Sequence, residues 1–276
     1  MSLPHWFHTA AITVHRTGFR WQARREAARL RRHGGPLETR LADALEGALH
    51  QRFSEEEADW VQRVEALRTV LRDSSTPVTF LDYGVPSRWI GTTAEDGVPV
   101  TRTVSEVYRA SAPAHEGRVL FHLIRTFRPA RCLELGTCLG ISAAYQAAAL
   151  QLNGAGQLVS LEGGAPLATL AQNHLADLGL GNTEVITGRF QDTLPGILDR
   201  LAPIDYAFID GHHDPAAMQT YLQQLLPHLA DQALLILDDI AWTSGMRRAW
   251  RAFTGDARIT TTADLMTFGI AYFRKT

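Results

Sequence analysis

Residues Arg131–Ser142 read R-C-L-E-L-G-T-C-L-G-I-S, and the fold turns on how this stretch is read. Cys132 to Leu135 is a short, mostly apolar run carrying one acid, Glu134. Gly136 and Gly140 follow, and then an alanine-rich helical stretch from Ile141 to Leu150. A strand, a tight glycine turn and a helix start, in that order, form a ligand cradle. Glycine lets the backbone approach a ligand closely, and the start of a helix offers N–H donors without intrahelical partners. A dinucleotide site wants G-x-G-x-x-G, and Gly136-Thr137-Cys138-Leu139-Gly140 lacks that pyrophosphate-binding arrangement. Glu134, two residues before the first glycine, is placed instead to hold a ligand ammonium. An ordinary strand–turn–helix junction would share the pattern, so the downstream sequence has to decide.

Downstream, strands and helices alternate. Strands are expected at Gln157 to Leu161, ending in Glu162-Gly163, and at Thr183 to Thr187, followed by Gly188-Arg189-Phe190-Gln191-Asp192. Ile204 to Ile209 runs into Asp210-Gly211-His212-His213-Asp214, and Ala233 to Leu237 into Asp238-Asp239. Helices are expected at Pro166 to Leu180, Tyr221 to Leu229 and Ser244 to Phe253, with Arg258 to Asp264 and Phe268 to Arg274 as a closing antiparallel pair. The pattern predicts an α/β, Rossmann-like, mainly parallel seven-stranded sheet with helices on both faces and a C-terminal antiparallel hairpin. Ligands bind such sheets outside the carboxyl ends of the strands. Glu134, Glu162, Asp210, Asp238 and Asp239 stand at such ends, and anions crowded together call for cations. Glu162, ending the second strand of the domain, is placed to accept hydrogen bonds from a ribose diol.

E-L-G-T-C-L-G-I-S, residues 134–142, resembles the first motif of class I S-adenosylmethionine-dependent methyltransferases. The variety it is most similar to is that of catechol O-methyltransferase and bacterial small-molecule O-methyltransferases, in which the middle glycine of E-x-G-x-G-x-G is also replaced. The resemblance covers residues 105–276. It implies that S-adenosylmethionine is cradled by Glu134, Gly136, Thr137, Cys138, Gly140 and Ser142, with Glu162 and Gly163 at the ribose. Adenine would meet Phe190 through its backbone and Gln191 through its side chain. By position, Asp210, Asp238 and Asp239 match the ligands of Mg²⁺ (or Mn²⁺) in the catechol enzymes, although the last ligand there is usually Asn. The other reading of these acids is that Asp238 and Asp239 cap the next segment while Asp210 holds His213 or the cofactor. Where those enzymes carry a lysine base this chain has His213, three residues past Asp210, with His212 the weaker candidate; its only lysine is Lys275. The implied reaction is in-line methyl transfer to a small hydroxylated molecule, with His213, Asp210 and the metal activating the nucleophile. Methylation of a nitrogen or of a protein or RNA group, and a non-catalytic cofactor-binding protein, are the alternatives.

At 276 residues, 45% hydrophobic and 20% charged, the chain has ample core material for a soluble globular protein. A formal net charge of −2 gives no electrostatic reason to expect a nucleic-acid partner. Two cysteines, Cys132 in the presumed strand and Cys138 in the turn, fit reduced thiols and a cytoplasmic location. The first residues show no signal peptide, and no apolar run is long enough to span a membrane. Residues 1–75 read as a helical extension, 76–104 as a loop-rich connection and 105–276 as the methyltransferase domain. Arg16 to Arg32 is an arginine-rich helix broken at Gly34-Gly35-Pro36, with interleaved acids that favour a solvated face over a polyanion-binding arm. Leu37, Leu41, Leu45 and Leu49 form one helical face. Ser54 to Glu57 has capping-box form and starts a third helix, with a stripe at Trp60, Val61, Val64, Leu67 and Leu71. These stripes are expected to form a cap on the domain or a homodimer contact. Tyr83, Arg88 and Trp89 are candidates for the border of the substrate pocket, unless their segment is a surface connection.

Overall fold

The computed structural model describes residues 5–83, 97–212 and 214–275, with side chains from Thr17 onward. Three helices come first: α1 (His5–His33), α2 (Pro36–His50) and α3 (Glu55–Arg72). An antiparallel pair follows, β1 (Pro77–Asp82) with β2 (Val98–Thr103), and then the short α4 (Val104–Tyr108). The remainder is α5 (Ala114–Phe127), β3 (Arg131–Leu135), α6 (Ile141–Asn153), β4 (Gln157–Glu162), α7 (Ala165–Asp177), β5 (Thr183–Thr187), α8 (Phe190–Leu201), β6 (Ile204–Ile209), α9 (Pro215–Leu225), β7 (Leu229–Leu237), α10 (Ser244–Thr254), β8 (Ile259–Leu265) and β9 (Phe268–Arg274). The main sheet has the order β5-β4-β3-β6-β7-β9-β8, parallel from β5 to β7 and closed by the antiparallel β9 and β8.

Period-two alternation along the strands divides the interior into two cores. Cys132, Tyr206, Phe208, Leu234, Ile236 and Ile270 point to one face, where they meet buried residues of α5 and α6. Leu133, Leu135, Val159, Ile209, Leu235 and Phe273 point to the other, against α8, α9 and α10. The first core also contains Leu41 and Leu45 of α2, Val61, Val64 and Leu71 of α3, and Phe19, Ala23 and Leu30 of α1. The apolar stripes of the extension are therefore covered by the chain itself and cap one face of the domain. The arginine-rich helix is a paired face: Arg29 meets Glu26, and Arg31 meets Asp43 and Glu46 at 2.5 and 2.9 Å. The capping box forms as read. Ser54 Oγ accepts from the Glu57 amide, and Glu57 Oε2 accepts from the Ser54 amide.

Two expectations are corrected. The stretch read as loop contains β2, which the sequence hides because V-P-V-T-R-T carries a proline and no apolar run, its pairing coming from β1 alone. The helix expected from Tyr221 begins at Pro215. Asp214 Oδ1 accepts from the amides of Ala216 and Ala217 at 3.0 and 2.9 Å, an N-cap followed by proline at the first helical position. Among the described residues no helix is long and apolar enough to cross a membrane.

One buried imidazole makes stability depend on pH. His122 of α5 is 8% exposed and stacks on Phe53 with ring centroids 4.8 Å apart. Burial pulls its pKa down from 6.5 to about 4, so the fold holds it neutral. Between those values the unfolded chain binds the extra proton, so stability falls as pH drops from about 6.5 towards 4, by up to about 3 kcal/mol. Denaturant midpoints measured across that range should show this slope in the wild type and a shallower one in His122→Leu. An equal slope in both would remove His122 as its cause.

Candidate active site

A cavity of about 470 Å³ opens at the carboxyl ends of β3, β4, β6 and β7. Its organising contact is between two backbones. Gly136 has φ +104°, and a Cβ built on it would lie 1.9 Å from the carbonyl oxygen of Asp210. Only glycine lets the β3 turn come this close to the end of β6. The Asp210 amide donates to the Leu135 carbonyl at 2.9 Å, and the Gly136 and Thr137 amides donate to Leu161 at 3.0 and 3.2 Å. The turn is thereby wedged between β4 and β6. Gly140, with φ +84°, then opens α6.

Glu162, the last residue of β4, is clamped from two sides. Its Oε2 accepts from the Cys138 amide and its Oε1 from the Gly164 amide, both at 2.8 Å. Burial raises its pKa while those two amides oppose the rise. Of the residues expected in the cradle, Gly136, Cys138, Glu162, Gly163, Phe190, Gln191 and Asp210 line the cavity. Thr137, Gly140 and Ser142 do not. Thr137 bonds Ser160 at 2.5 Å behind the turn, and Ser142 is buried at the start of α6. Cys132 and Cys138 are free thiols, and burial pushes Cys138 up to about 12.

Glu134 corrects the ammonium-holding expectation. It is fully buried and absent from the cavity wall. Alternation along β3 turns its side chain towards α6, where Gln146 Nε2 donates to it at 2.6 Å and Ser160 donates to its other oxygen. Burial pushes its pKa up to about 7, against the pull of bonds from Ser160, Ser142 and Gln146. It braces the turn from behind.

Asp210, Asp238 and Asp239 all line the cavity, and so does Glu116, an acid outside the strand ends. Glu116, in the first turn of α5, is 2% exposed and lines the same cavity. Burial, then Asp238, Asp210 and Asp239, push its pKa well above the usual carboxylate range. Asp210 is raised in the same way, by burial first and then by Asp238 and Asp239. The sequence signal for Glu116 was an acid in register with the apolar face of its own helix, four residues before the fully buried Leu120. Asp238 Oδ1 accepts from the Asp239 amide at 2.8 Å, while the next helix, α10, is capped by Thr243, whose hydroxyl accepts from the Met246 amide. Among the described residues, no three His, Cys, Asp or Glu side chains form a group that could hold a metal ion.

The histidine expected to act as base, His213, lies outside the described residues, as do Arg88 and Trp89. His212 borders the cavity. Its Nε2 stands 3.1 Å from the Tyr83 carbonyl oxygen, which can only accept, so Nε2 carries the proton. Nδ1 then accepts from the Tyr221 hydroxyl at 2.6 Å. His212 ties the end of β1 to α9. Tyr83 lines the cavity as expected, with its ring 2.8 Å from where a Cβ on Gly163 would sit. Trp242, 64% exposed, stands at the rim and was not foreseen.

The glycine contact gives a direct test. Gly136→Ala should lose about 2–4 kcal/mol in denaturant unfolding and most of its affinity for S-adenosylhomocysteine. Gly179→Ala is the control, since Gly179 also has positive φ (+76°) but nothing within 4 Å of its built Cβ. It should lose about 1 kcal/mol and bind normally. Equal losses in the two variants would show that backbone strain, and not the approach to Asp210, governs residue 136.

Residues 133–240 match a family described as a methyltransferase domain. A catechol O-methyltransferase of Niastella koreensis is 31% identical over 132 residues, which are 47% of this chain and 58% of that protein, so the match spans little more than half of the relative. The O-methyltransferase TomG of Streptomyces achromogenes, involved in tomaymycin synthesis and solved with S-adenosylmethionine, superposes with a TM-score of 0.52 at 25% identity, covering 62% of this chain and 87% of that one. An O-methyltransferase of Bacillus cereus, solved with S-adenosylhomocysteine, shares the fold with a TM-score of 0.52 at 22% identity over 60% of this chain and 83% of its own. Residues 133–240 thus match a methyltransferase domain, and with its strand order the fold resembles those of S-adenosylmethionine-dependent O-methyltransferases.

Proposed function

We propose that the protein transfers the methyl group of S-adenosylmethionine to a hydroxyl of a small acceptor. The observation that carries this reading is the Gly136 turn wedged between β4 and β6, with Glu162 clamped beside it on the cavity wall. Gly136 and Cys138 form the close-approach surface for the amino-acid part of the cofactor. Glu162 keeps lone pairs beyond those used by the two amides, and these accept from the ribose hydroxyls. Such charge-assisted bonds contribute about 1.5–3 kcal/mol each. Phe190 and Gln191 border the adenine. The acceptor lies beside Asp210, Asp238 and Asp239 on the cavity wall.

The acceptor oxygen attacks the sulfonium methyl in line. Holding nucleophile, methyl and sulfur in one alignment lowers the barrier by several kcal/mol, on the order of 7–11 at best. His213 takes the proton from the acceptor hydroxyl, a role suited to an imidazole with an ordinary pKa of about 6.5. Asp210, Asp238 and Asp239 have the hard oxygen donors that suit Mg²⁺ or Mn²⁺, and Asp210 lies under the field of the other two. Such an ion would supply Lewis acidity that lowers the hydroxyl pKa. His213, such an ion, or the two together remove the proton.

Calorimetric titration with S-adenosylhomocysteine, with and without Mg²⁺, is the first test. The wild type should bind saturably and Glu162→Ala at least tenfold more weakly, about 1.4 kcal/mol. A folded wild type that does not bind would sink the reading. His213→Ala should keep that affinity and lower kcat by a factor on the order of 100 or more. Unchanged turnover would relieve His213 of its role, and a rate that follows Mg²⁺ and collapses in chelator would pass proton removal to the metal.

A further inference from the structure

The end of β1 is part of the cavity wall. Phe80, Leu81, Asp82 and Tyr83 are consecutive in the chain, and all of them line the cavity. They lie ahead of residues 133–240, the stretch that matches a methyltransferase domain. Tyr83 is fixed on this wall from three sides. Its carbonyl oxygen accepts from His212 Nε2 at 3.1 Å. Its ring sits between two glycines: Cδ2 is 2.8 Å from a Cβ built on Gly163, and Cε1 is 2.7 Å from one built on Gly97. A side chain at either position would meet the ring, and Gly97 also holds φ +68°, where L side chains are strained. The ring thus occupies a slot that two missing side chains leave open. Its anchors are the ends of two different strands. Gly163 follows Glu162, whose oxygens accept from the Cys138 and Gly164 amides. His212 lies just beyond β6 and stands edge-on to Phe190, with ring centroids 5.8 Å apart. Glu162, Gly163, Phe190 and His212 all line the same cavity as Tyr83.

We propose that Tyr83 is a cofactor-binding residue whose ring packs against the nucleoside half of S-adenosylmethionine, so that the β1–β2 pair forms one wall of the cofactor site. Glu162 is the residue assigned to the ribose, and Phe190 and Gln191 are those assigned to the adenine. Tyr83 is held to Gly163 on one side and to His212 on the other, which presents its ring where ribose and adenine meet. An aromatic ring gains by covering a purine face whatever the substituents of the purine. It also brings a large apolar area with few rotatable bonds to immobilise. The β1–β2 ladder runs from Pro77 opposite Thr103 to Asp82 opposite Val98. Tyr83 comes one residue after the last of these pairs, so the wall carries the ring without needing it to pair the strands.

This inference rests on the proposed methyl transfer, and its test separates the two. S-adenosylhomocysteine and 5′-methylthioadenosine, which keeps the nucleoside and lacks the amino acid, are titrated calorimetrically into the full chain. Tyr83→Ala should weaken both by the same factor, on the order of tenfold, because the lost contact lies in the half they share. Tyr83→Phe should restore both to within about threefold of the wild type, since the two glycines place the ring and not the hydroxyl. Hydrogen exchange reads the wall itself. Amides of β1 and β2 should exchange alike in the unliganded wild type and Tyr83→Ala, and S-adenosylhomocysteine should slow them in the wild type more than in the variant. Unchanged affinity for S-adenosylhomocysteine in Tyr83→Ala would overturn the assignment. So would a loss seen with S-adenosylhomocysteine but not with 5′-methylthioadenosine, or a Tyr83→Phe that binds no better than Tyr83→Ala. Faster exchange of the unliganded variant would reduce the ring to a prop for the wall, and overturn it too. A wild type that binds neither compound strikes the methyltransferase reading, and this one with it. A wild type that binds while Tyr83→Ala loses nothing strikes this one alone.

Discussion

The approach of Gly136 to the Asp210 carbonyl is the constraint from which the rest of the site follows. β3 and β6 are neighbours in the sheet, but their chains leave in opposite directions, β3 towards β4 and β6 towards β7. A crevice opens where such an order reverses. At Gly136 the crevice is drawn in until two backbones touch. The same turn holds the Cys138 amide against Glu162, so moving Asp210 away would also loosen the carboxylate on the neighbouring strand. One missing side chain thus fixes acids on two strands relative to each other.

The acids of the site divide by what surrounds them. Glu134 and Glu162 are met by donors, side chains for one and backbone amides for the other, and both lock the turn in place. Glu116 and Asp210 are raised chiefly by burial and then by like charge. The first pair belongs to the scaffold, since satisfied carboxylates rigidify what they join. Unfavourable charge kept in a cleft is a mark of function more than of architecture.

Most of the fold was legible because its periods are strong. The apolar runs of β3 to β7, the four-residue leucine spacing of α2 and the Ser54 capping box are local signals, and local signals survive folding. β2 leaves no local signal because it exists only through its partner, and α9 starts ahead of its apolar residues, at the Asp214 cap and Pro215. In the site, chain position placed Glu162, Asp210, Asp238 and Asp239 correctly on the cavity. It misplaced Glu134, because being near a strand end does not decide which face a side chain takes. One residue of alternation carried it from ligand to core. Glu116 carries no strand-end signal, because it arrives from a helix.

That arrival joins the N-terminal helices to the chemistry. α5 carries Glu116, and the extension meets α5 along its length. Phe19 of α1 packs edge-on against His115 at 4.5 Å, next to the acid, and Arg68 of α3 holds the Ala112 carbonyl just ahead of the helix. Leu41 and Leu45 of α2 share a core with Leu120 and Leu123 further along. The depth at which Glu116 stands in the cavity is therefore set by residues far upstream in sequence, none of them at the strand ends. A helical cap that only stabilised the sheet would have no need to grip the first turn of α5. This one meets it from two helices, Phe19 of α1 at His115 and Arg68 of α3 at Ala112, although neither helix lines the cavity.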